Sequence, residues 1–365
     1  MRSRRSFLIN NGLSHGLCNY DCGLCSVNDP SYDGPRELQS AEVTEALLGR
    51  VREAAEEGVW VRHVGYSGHG EPTLHPEFTD RVDMLGELVR SWRSVNPPPV
   101  VGVVTNGSRL LENGILDAFS RNPVGLTLSL PTVDPQAYGK VMVKDPAQGP
   151  ELLARVLEAL DHAFELQARG HLAWLLFHIS PPDPEVIRPH LPATLDALTR
   201  RAAARGVREI RVTLFITVAN RSGKIRGGSN RADSFRDLRK RFHGQLLNGV
   251  LVKLEMSLDV MYPSMTHLAD MLWAFDYPCL WNGNFVITAN GSSVCCNDQS
   301  RRHPMGNVLT HSLREMIEEK EAFAGSPSLC GGCNQKPHQL TGSALARLYA
   351  TASSVRMRWR RFRLD

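Results

Sequence analysis

Hydrophobic and polar positions change period repeatedly along this chain, and the changes mark its elements. A short apolar run at residues 6–10 reads as a strand. A helical pattern follows over 40–57, with Ser40 placed to cap it and Glu42 close behind. Residues 61–66 are strand-like and 77–92 helical. The run Val-Val-Gly-Val-Val at 100–104 is continuously apolar, as buried parallel strands are. A helix is expected over 110–119, a strand over 125–130, a helix over 150–168 and a strand over 172–179. A helix over 192–205 and a strand over 209–218 complete the series. Six strands with five helices between them predict an α/β fold, a parallel sheet covered by helices. Such sheets carry their chemistry at the carboxyl ends of the strands, whether open or closed into a barrel.

Residues 220–249 are basic and glycine-containing, with a helix-like stretch over 232–246, and read as a crossing segment. A strand is expected at 250–256. The character then changes to a cysteine-bearing region that reaches Cys333. Within it, residues 285–294 read as a hairpin turning at Asn290-Gly291. A basic amphipathic stretch follows at 356–363. These shifts divide the chain into 1–220, 221–260, 261–340 and 341–365.

Composition narrows the classes. With 42% hydrophobic and 22% charged residues among 365, the chain reads as a globular protein of ordinary make-up. A net charge of +4 implies no global nucleic-acid field. The basic tail alone would suit RNA, an acidic redox partner or a membrane surface, or a terminal helix docked through Trp359 and Phe362. No apolar run approaches the ~20 residues of a membrane helix. Phe7-Leu8-Ile9, behind the basic start, is too short for a signal segment. A cytoplasmic protein without a membrane partner is expected. Its eight cysteines then read as metal ligands rather than disulfides.

The candidate chemistry begins at Cys18-Asn-Tyr-Asp-Cys22-Gly-Leu-Cys25, a C-x3-C-x2-C loop behind the first strand. Soft sulfur ligands select zinc or iron–sulfur. A structural zinc site closes with four ligands, and this loop holds no fourth, so His15 or His63 would have to complete it. Three ligands otherwise leave a metal position open to a substrate or cosubstrate. After the second strand comes Gly68-His69-Gly70-Glu71-Pro72. Its glycines allow close backbone approach to a ligand and Pro72 fixes the turn. Glu71 would then face the sheet top, where a carboxylate accepts hydrogen bonds from an ammonium group. Thr105-Asn106-Gly107 closes the third strand and Ser129 lies near the end of the fourth; such groups serve a ligand or a local cap. Arg221, after the sixth strand, offers a guanidinium for a carboxylate.

The cysteine loop resembles the signature loop of the radical S-adenosylmethionine (radical SAM) enzymes. His69-Gly70-Glu71-Pro72 is similar to their "GGE" motif, with His69 at the first glycine; Leu24 stands where an aromatic residue is common. The resemblance implies a partial (β/α)6 barrel over about residues 6–220. In it Cys18, Cys22 and Cys25 hold a [4Fe–4S] cluster whose fourth iron chelates SAM. His69, Gly70, Glu71 and Pro72 would then bind the SAM amino group. Asn106 and Ser129 would contact its ribose and methionine groups, and Arg221 joins this cofactor-binding set.

A second set reads Cys279-x11-Gly291-x4-Cys296, then Cys330-Gly-Gly-Cys333. Four such ligands suit a zinc ribbon or a second cluster. The pattern is similar to the SPASM extension in its one-cluster "twitch" form, which implies a small C-terminal iron–sulfur domain with an auxiliary [4Fe–4S] cluster. Cys295 is left over, as a hydrogen-atom donor or a small buried residue. Together the resemblances imply cleavage of SAM to a 5′-deoxyadenosyl radical, hydrogen abstraction, and two-electron oxidation of a small-molecule substrate. A sugar or aminocyclitol is expected, because 17 residues precede Cys18 where many peptide-modifying relatives carry a recognition domain. A flavodoxin or ferredoxin would donate electrons. A radical epimerase using Cys295, a peptide-modifying enzyme, and a non-catalytic metal- or RNA-binding protein remain open.

Overall fold

The computed structural model describes residues 6–22, 25–28, 32, 34–57, 59–67, 70–92, 99–179, 184–214, 237–256, 284–294 and 304–323. The sheet strands are β1 (Ser6–Asn11), β2 (Trp60–Tyr66), β3 (Val100–Thr105), β4 (Val124–Ser129), β5 (Leu172–Ile179) and β6 (Glu209–Leu214). Between them run α1 (Ala41–Glu56), α2 (Phe78–Ser91), α3 (Ile115–Arg121), α4 (Pro135–Met142), α5 (Gly149–Ala168) and α6 (Leu191–Ala204). Beyond them come β7 (Gln245–Leu247), β8 (Val250–Met256), β9 (Asn284–Ile287), β10 (Ser292–Val294), β11 (Pro304–Asn307) and α7 (Leu313–Phe323). The sheet order is β11-β10-β9-β1-β2-β3-β4-β5-β6-β8-β7. From β9 to β8 every pairing is parallel. The fold is thus α/β with a mostly parallel sheet, as the alternation of elements predicts.

The helices form where local chemistry supports them. The Ser40 side chain accepts a hydrogen bond from the Val43 N–H at 3.4 Å, capping α1. Its buried stripe of Val43, Leu47, Leu48, Val51 and Ala54 follows the helical period. Helix α4 was not expected from the apolar pattern, yet its start is written locally. Asp134 caps the Ala137 N–H at 2.8 Å and Pro135 occupies the first turn. Helix α7 opens on a capping box, with Ser312 and Glu315 bonding each other's main-chain N–H.

Two expectations need correction. The helix expected over 110–119 begins only at Ile115, because Asn113 (φ 52°) and Gly114 (φ 66°) adopt left-handed conformations that interrupt it. The helix expected over 232–246 is helical at 237–242 among the described residues, and Gln245–Leu247 instead pairs antiparallel with β8. Gly244, at φ 78°, makes the break. The strand over 209–218 is described only to Leu214. The hairpin at Asn290-Gly291 is present: Val286 pairs with Val294, and Gly291 takes φ 83°. Its first strand, β9, joins β1 in parallel with Ile9 opposite Phe285.

The two faces of the sheet differ. One is apolar and covered by helices, with Phe177 of β5 against Phe164 of α5 and Tyr66 of β2 against Phe78 of α2. On the other, Gly65, Gly102 and Gly125 stand in register across β2, β3 and β4. The stacked rings of His63 and Trp174, 6.2 Å apart, fill the space their missing side chains leave. A Cβ at Gly102 would collide with the imidazole and one at Gly125 with the indole. Gly125→Ala is therefore expected to cost about 1–3 kcal/mol through overpacking, read from the urea midpoint. Adding Trp174→Ala should recover part of the loss. An unmoved midpoint for Gly125→Ala would contradict the stacking.

Candidate metal and cofactor site

The cysteine loop leaves the carboxyl end of β1 and is tied down at both ends by one side chain. The Arg36 guanidinium donates to the Gly16 carbonyl at 2.6 Å and to the Val27 carbonyl at 2.9 Å, bracketing Cys18, Cys22 and Cys25. Inside the loop, Asn28 Nδ2 donates to the Tyr20 carbonyl at 2.9 Å. From below, α4 supports it. The Asp21 N–H donates to the Met142 carbonyl at 3.1 Å, and the Tyr138 hydroxyl donates to that of Tyr20 at 3.2 Å. The Cys22 thiol lies 3.7 Å from both the Met142 carbonyl oxygen and its Sδ.

The turn after β2 docks directly on this loop. The Glu71 N–H donates to the Leu17 carbonyl at 2.8 Å. Gly70 takes φ 151°, and a Cβ there would strike the Ser14 and Leu17 carbonyl oxygens. Only glycine permits this approach. Pro72 then opens a single 3-10 turn, Pro72–Leu74, which Glu71 caps.

Glu71 is buried, and its carboxylate collects neutral donors from two strand ends. Oε1 accepts from the Thr73 N–H (3.1 Å), the Thr73 hydroxyl (2.6 Å) and the Thr105 hydroxyl (2.7 Å). Oε2 accepts from the Asn106 N–H at 2.7 Å. Burial pushes this carboxyl above its ordinary value, and the hydrogen bonds pull the other way. Asn106 passes the connection on, its Nδ2 reaching Asn19 Oδ1 at 2.9 Å and Cys18 Sγ at 3.8 Å. Thus Cys18, Gly70, Glu71, Pro72 and Asn106, expected from sequence, are brought together. Thr105 and Asn19, which stand inside the quoted motifs, take part as well, and Arg36, Thr73, Ser108, Tyr138 and Met142 join them unannounced.

The remaining expectations divide in two. Ser129 ends β4, in register with His178 of β5. His69, Arg221, Cys279, Cys295, Cys296, Cys330 and Cys333 lie outside the described residues.

The donor set fits an iron–sulfur cluster. Burial raises all three thiols, Cys18 to about 12, so a bound metal must displace their protons. The Tyr20 N–H lies 3.4 Å from Cys18 Sγ, and the N–H groups of Val27 and Asn28 serve Cys25, the kind of hydrogen bonding that tunes such clusters. His63, considered above as a zinc ligand, sits mid-strand with its ring stacked on Trp174 and its pKa driven down to about 4 by burial. Among the described residues no three Cys, His, Asp or Glu side chains gather as one ion requires.

The domain is a mostly parallel α/β sheet with a three-cysteine loop at its strand ends. Residues 14–188 match the family model described as Radical SAM superfamily. No curated protein matches the chain. Among solved structures, the fold is similar to native anSMEcpe with bound AdoMet, at 17% identity and TM-score 0.64, covering 98% of this chain and 97% of that one. It is also similar to Streptococcus suis SuiB bound to S-adenosylmethionine, at 14% identity and TM-score 0.56, covering 90% of this chain and 68% of that one. None of the described helices is long and apolar enough to cross a membrane.

The Glu71 network generates a direct test. Glutamine offers one oxygen, but main-chain N–H groups approach both carboxylate oxygens of Glu71. Whichever way the amide turns, its NH2 faces a donor. Glu71→Gln is expected to lose about 1–3 kcal/mol of stability, measured by urea unfolding of the metal-free protein. Unchanged stability would show that the carboxylate is not the shared acceptor.

Proposed function

We propose that this protein is a radical SAM enzyme that abstracts hydrogen from a small polar substrate. The observation that carries the reading is the bonded path from the cysteine loop through Asn106 to Glu71, within the segment that matches the family. Cys18, Cys22 and Cys25 hold the [4Fe–4S] cluster, and Gly70, Glu71, Pro72, Asn106 and Ser129 line the SAM site. His69 and Arg221 belong to that site by sequence position. Bound there, cluster and SAM supply a 5′-deoxyadenosyl radical, which takes one hydrogen atom from the substrate.

The chain's own contribution is a cradle with its acceptors already aimed. Glu71 holds a carboxylate where the ammonium of SAM would compensate the buried charge. Gly70 brings main chain close without a side chain in the way. The substrate lies beyond Ser129, on the same face of the sheet. There His178, Thr213 and Glu255 follow in register across β5, β6 and β8. Burial keeps His178 neutral, its pKa lowered to about 4. Thr213 Oγ1 is buried with no hydrogen-bond partner among the described residues. Nearby charges answer one another, Lys253 with Glu209 at 2.8 Å and Arg211 with Glu255 at 3.8 Å. A wall of hydroxyl, neutral imidazole and cancelled charge suits a sugar or aminocyclitol.

A peptide substrate is the second reading, and specific likenesses favour it. The solved neighbours include SuiB bound to the precursor peptide SuiA (TM-score 0.55) and anSMEcpe with bound AdoMet and a Kp18Cys peptide (TM-score 0.61).

After hydrogen abstraction the substrate radical must lose an electron and a proton, or regain a hydrogen atom. We favour oxidation; Cys279, Cys296, Cys330 and Cys333 would hold a second cluster, which would supply an acceptor for that electron. Return of hydrogen from Cys295 would instead make an epimerase. A flavodoxin or ferredoxin supplies the electron that starts each SAM cleavage.

Anaerobically reconstituted protein should form 5′-deoxyadenosine from SAM under dithionite. Replacing Cys18, Cys22 and Cys25 by alanine should abolish it while iron on the second set persists; continued cleavage would refute the assignment. Replacing Cys330 and Cys333 by alanine should remove iron and sulfide yet leave SAM cleavage by the first centre. Zinc found at the second set by metal analysis would rule out the auxiliary cluster.

A further inference from the structure

The three cysteines of the loop do not share one environment. Cys22 lies against the carbonyl oxygen and thioether of Met142, both acceptors only. Cys25 is served by main-chain N–H groups of its own loop. Cys18 differs in meeting a side-chain donor from another strand end, Asn106 Nδ2 at 3.8 Å, besides the Tyr20 N–H. That amide cannot turn freely. Its Oδ1 accepts from the Ser108 N–H at 2.9 Å, so the nitrogen must face the loop. There Nδ2 donates to Asn19 Oδ1 at 2.9 Å, and Asn19 Nδ2 donates to Ser108 Oγ at 2.8 Å. Asn106, Asn19 and Ser108 close a ring of hydrogen bonds, anchored through the Asn106 N–H to the Glu71 carboxylate.

We propose that Asn106 is a positioning residue for the reduction potential of the cluster, acting on it through the Cys18 sulfur. The proposal rests on the radical SAM reading but goes beyond cofactor contact. A donor aimed at a thiolate draws charge from it and stabilises the more negative, reduced cluster. Because the same residue is anchored on Glu71, the carboxylate end of the SAM site and the cysteine end of the cluster site move together.

The test compares wild type with Asn106→Asp and Asn106→Ala, both of which keep the main-chain N–H that Glu71 needs. Iron content is measured first, then the midpoint potential by titration followed by electron paramagnetic resonance. With iron content unchanged, both variants are expected to shift to a more negative potential, Asn106→Asp further because it adds a negative charge. At fixed dithionite their reduced fraction should fall. Pulsed resonance in deuterated water should also show one exchangeable-deuteron coupling lost from each variant. Should Asn106→Asp fail to take up iron, Asn106→Ala, which adds no charge, carries the measurement. Iron-loaded variants at the wild-type potential, with all deuteron couplings present, would overturn the inference and leave the radical SAM reading intact. A reconstituted wild type without a cluster would defeat that reading itself.

Discussion

The arrangement around the three cysteines depends on one buried carboxylate. Among the described residues, Glu71 has no cation among its hydrogen-bonded partners. It is held by hydroxyl and N–H donors from the turn it begins and from the end of β3. Such a group is costly to bury unless its donors are already in place. Here they are, since Thr73 follows in the same 3-10 turn and Thr105 and Asn106 emerge from a strand paired in register with β2. The Glu71 N–H in turn clips Leu17, so one residue joins the ends of β2 and β3 to the chain leaving β1.

This electrostatic design points in one direction. The loop presents neutral thiols held above their ordinary titration range by burial, beside a carboxylate held up in the same way. Both features are tensions that positive charge relieves. Under the proposed function iron would displace the thiol protons, and the ammonium of SAM would compensate the carboxylate. The tyrosine pair and Met142 beneath the loop add apolar cover, which strengthens every interaction above them. The network through Asn106 makes the two tensions one, because the residue bonded to Glu71 is also the residue that faces Cys18.

Much of the sheet was legible because buried parallel strands are written as continuous apolar runs: 100–104 and 172–179 stand where expected. The cysteine loop and the Gly-Glu-Pro turn were legible for a different reason, since their chemistry is local. What escaped was non-local or was masked by a stronger signal. Nothing in residues 284–287 announces that they pair with β1, because the partner lies far away in sequence. Arg36 reads as an exposed loop cation until the fold brings Gly16 and Val27 to its two nitrogens. Helix α4 carried a readable Asp-Pro start, but at eight residues it is too short for its apolar spacing to establish a helical period. The helix over 110–119 failed because Asn113-Gly114 broke a pattern that periodicity alone would continue. The second cysteine set, with His69 and Arg221, stands on spacing and motif alone.

The glycine stripe explains why the chemistry has only one end of the sheet to occupy. At the level of Gly65, Gly102 and Gly125 the face opposite the helices is filled by His63 and Trp174. Any larger residue at those positions would push the rings outward, and loss of either ring would open the floor. Further along the strands on the same face, Ser129, His178, Thr213 and Glu255 come into register, with Asn106 one residue past the last β3–β4 pair. The order of that row sets a division of labour. Its first members adjoin the cysteine loop, and its last members lie three and four strands away from Asn106. Under the proposed function, a cofactor anchored at Cys18 and Glu71 would extend toward β5, β6 and β8, which makes that row the surface proposed for the substrate.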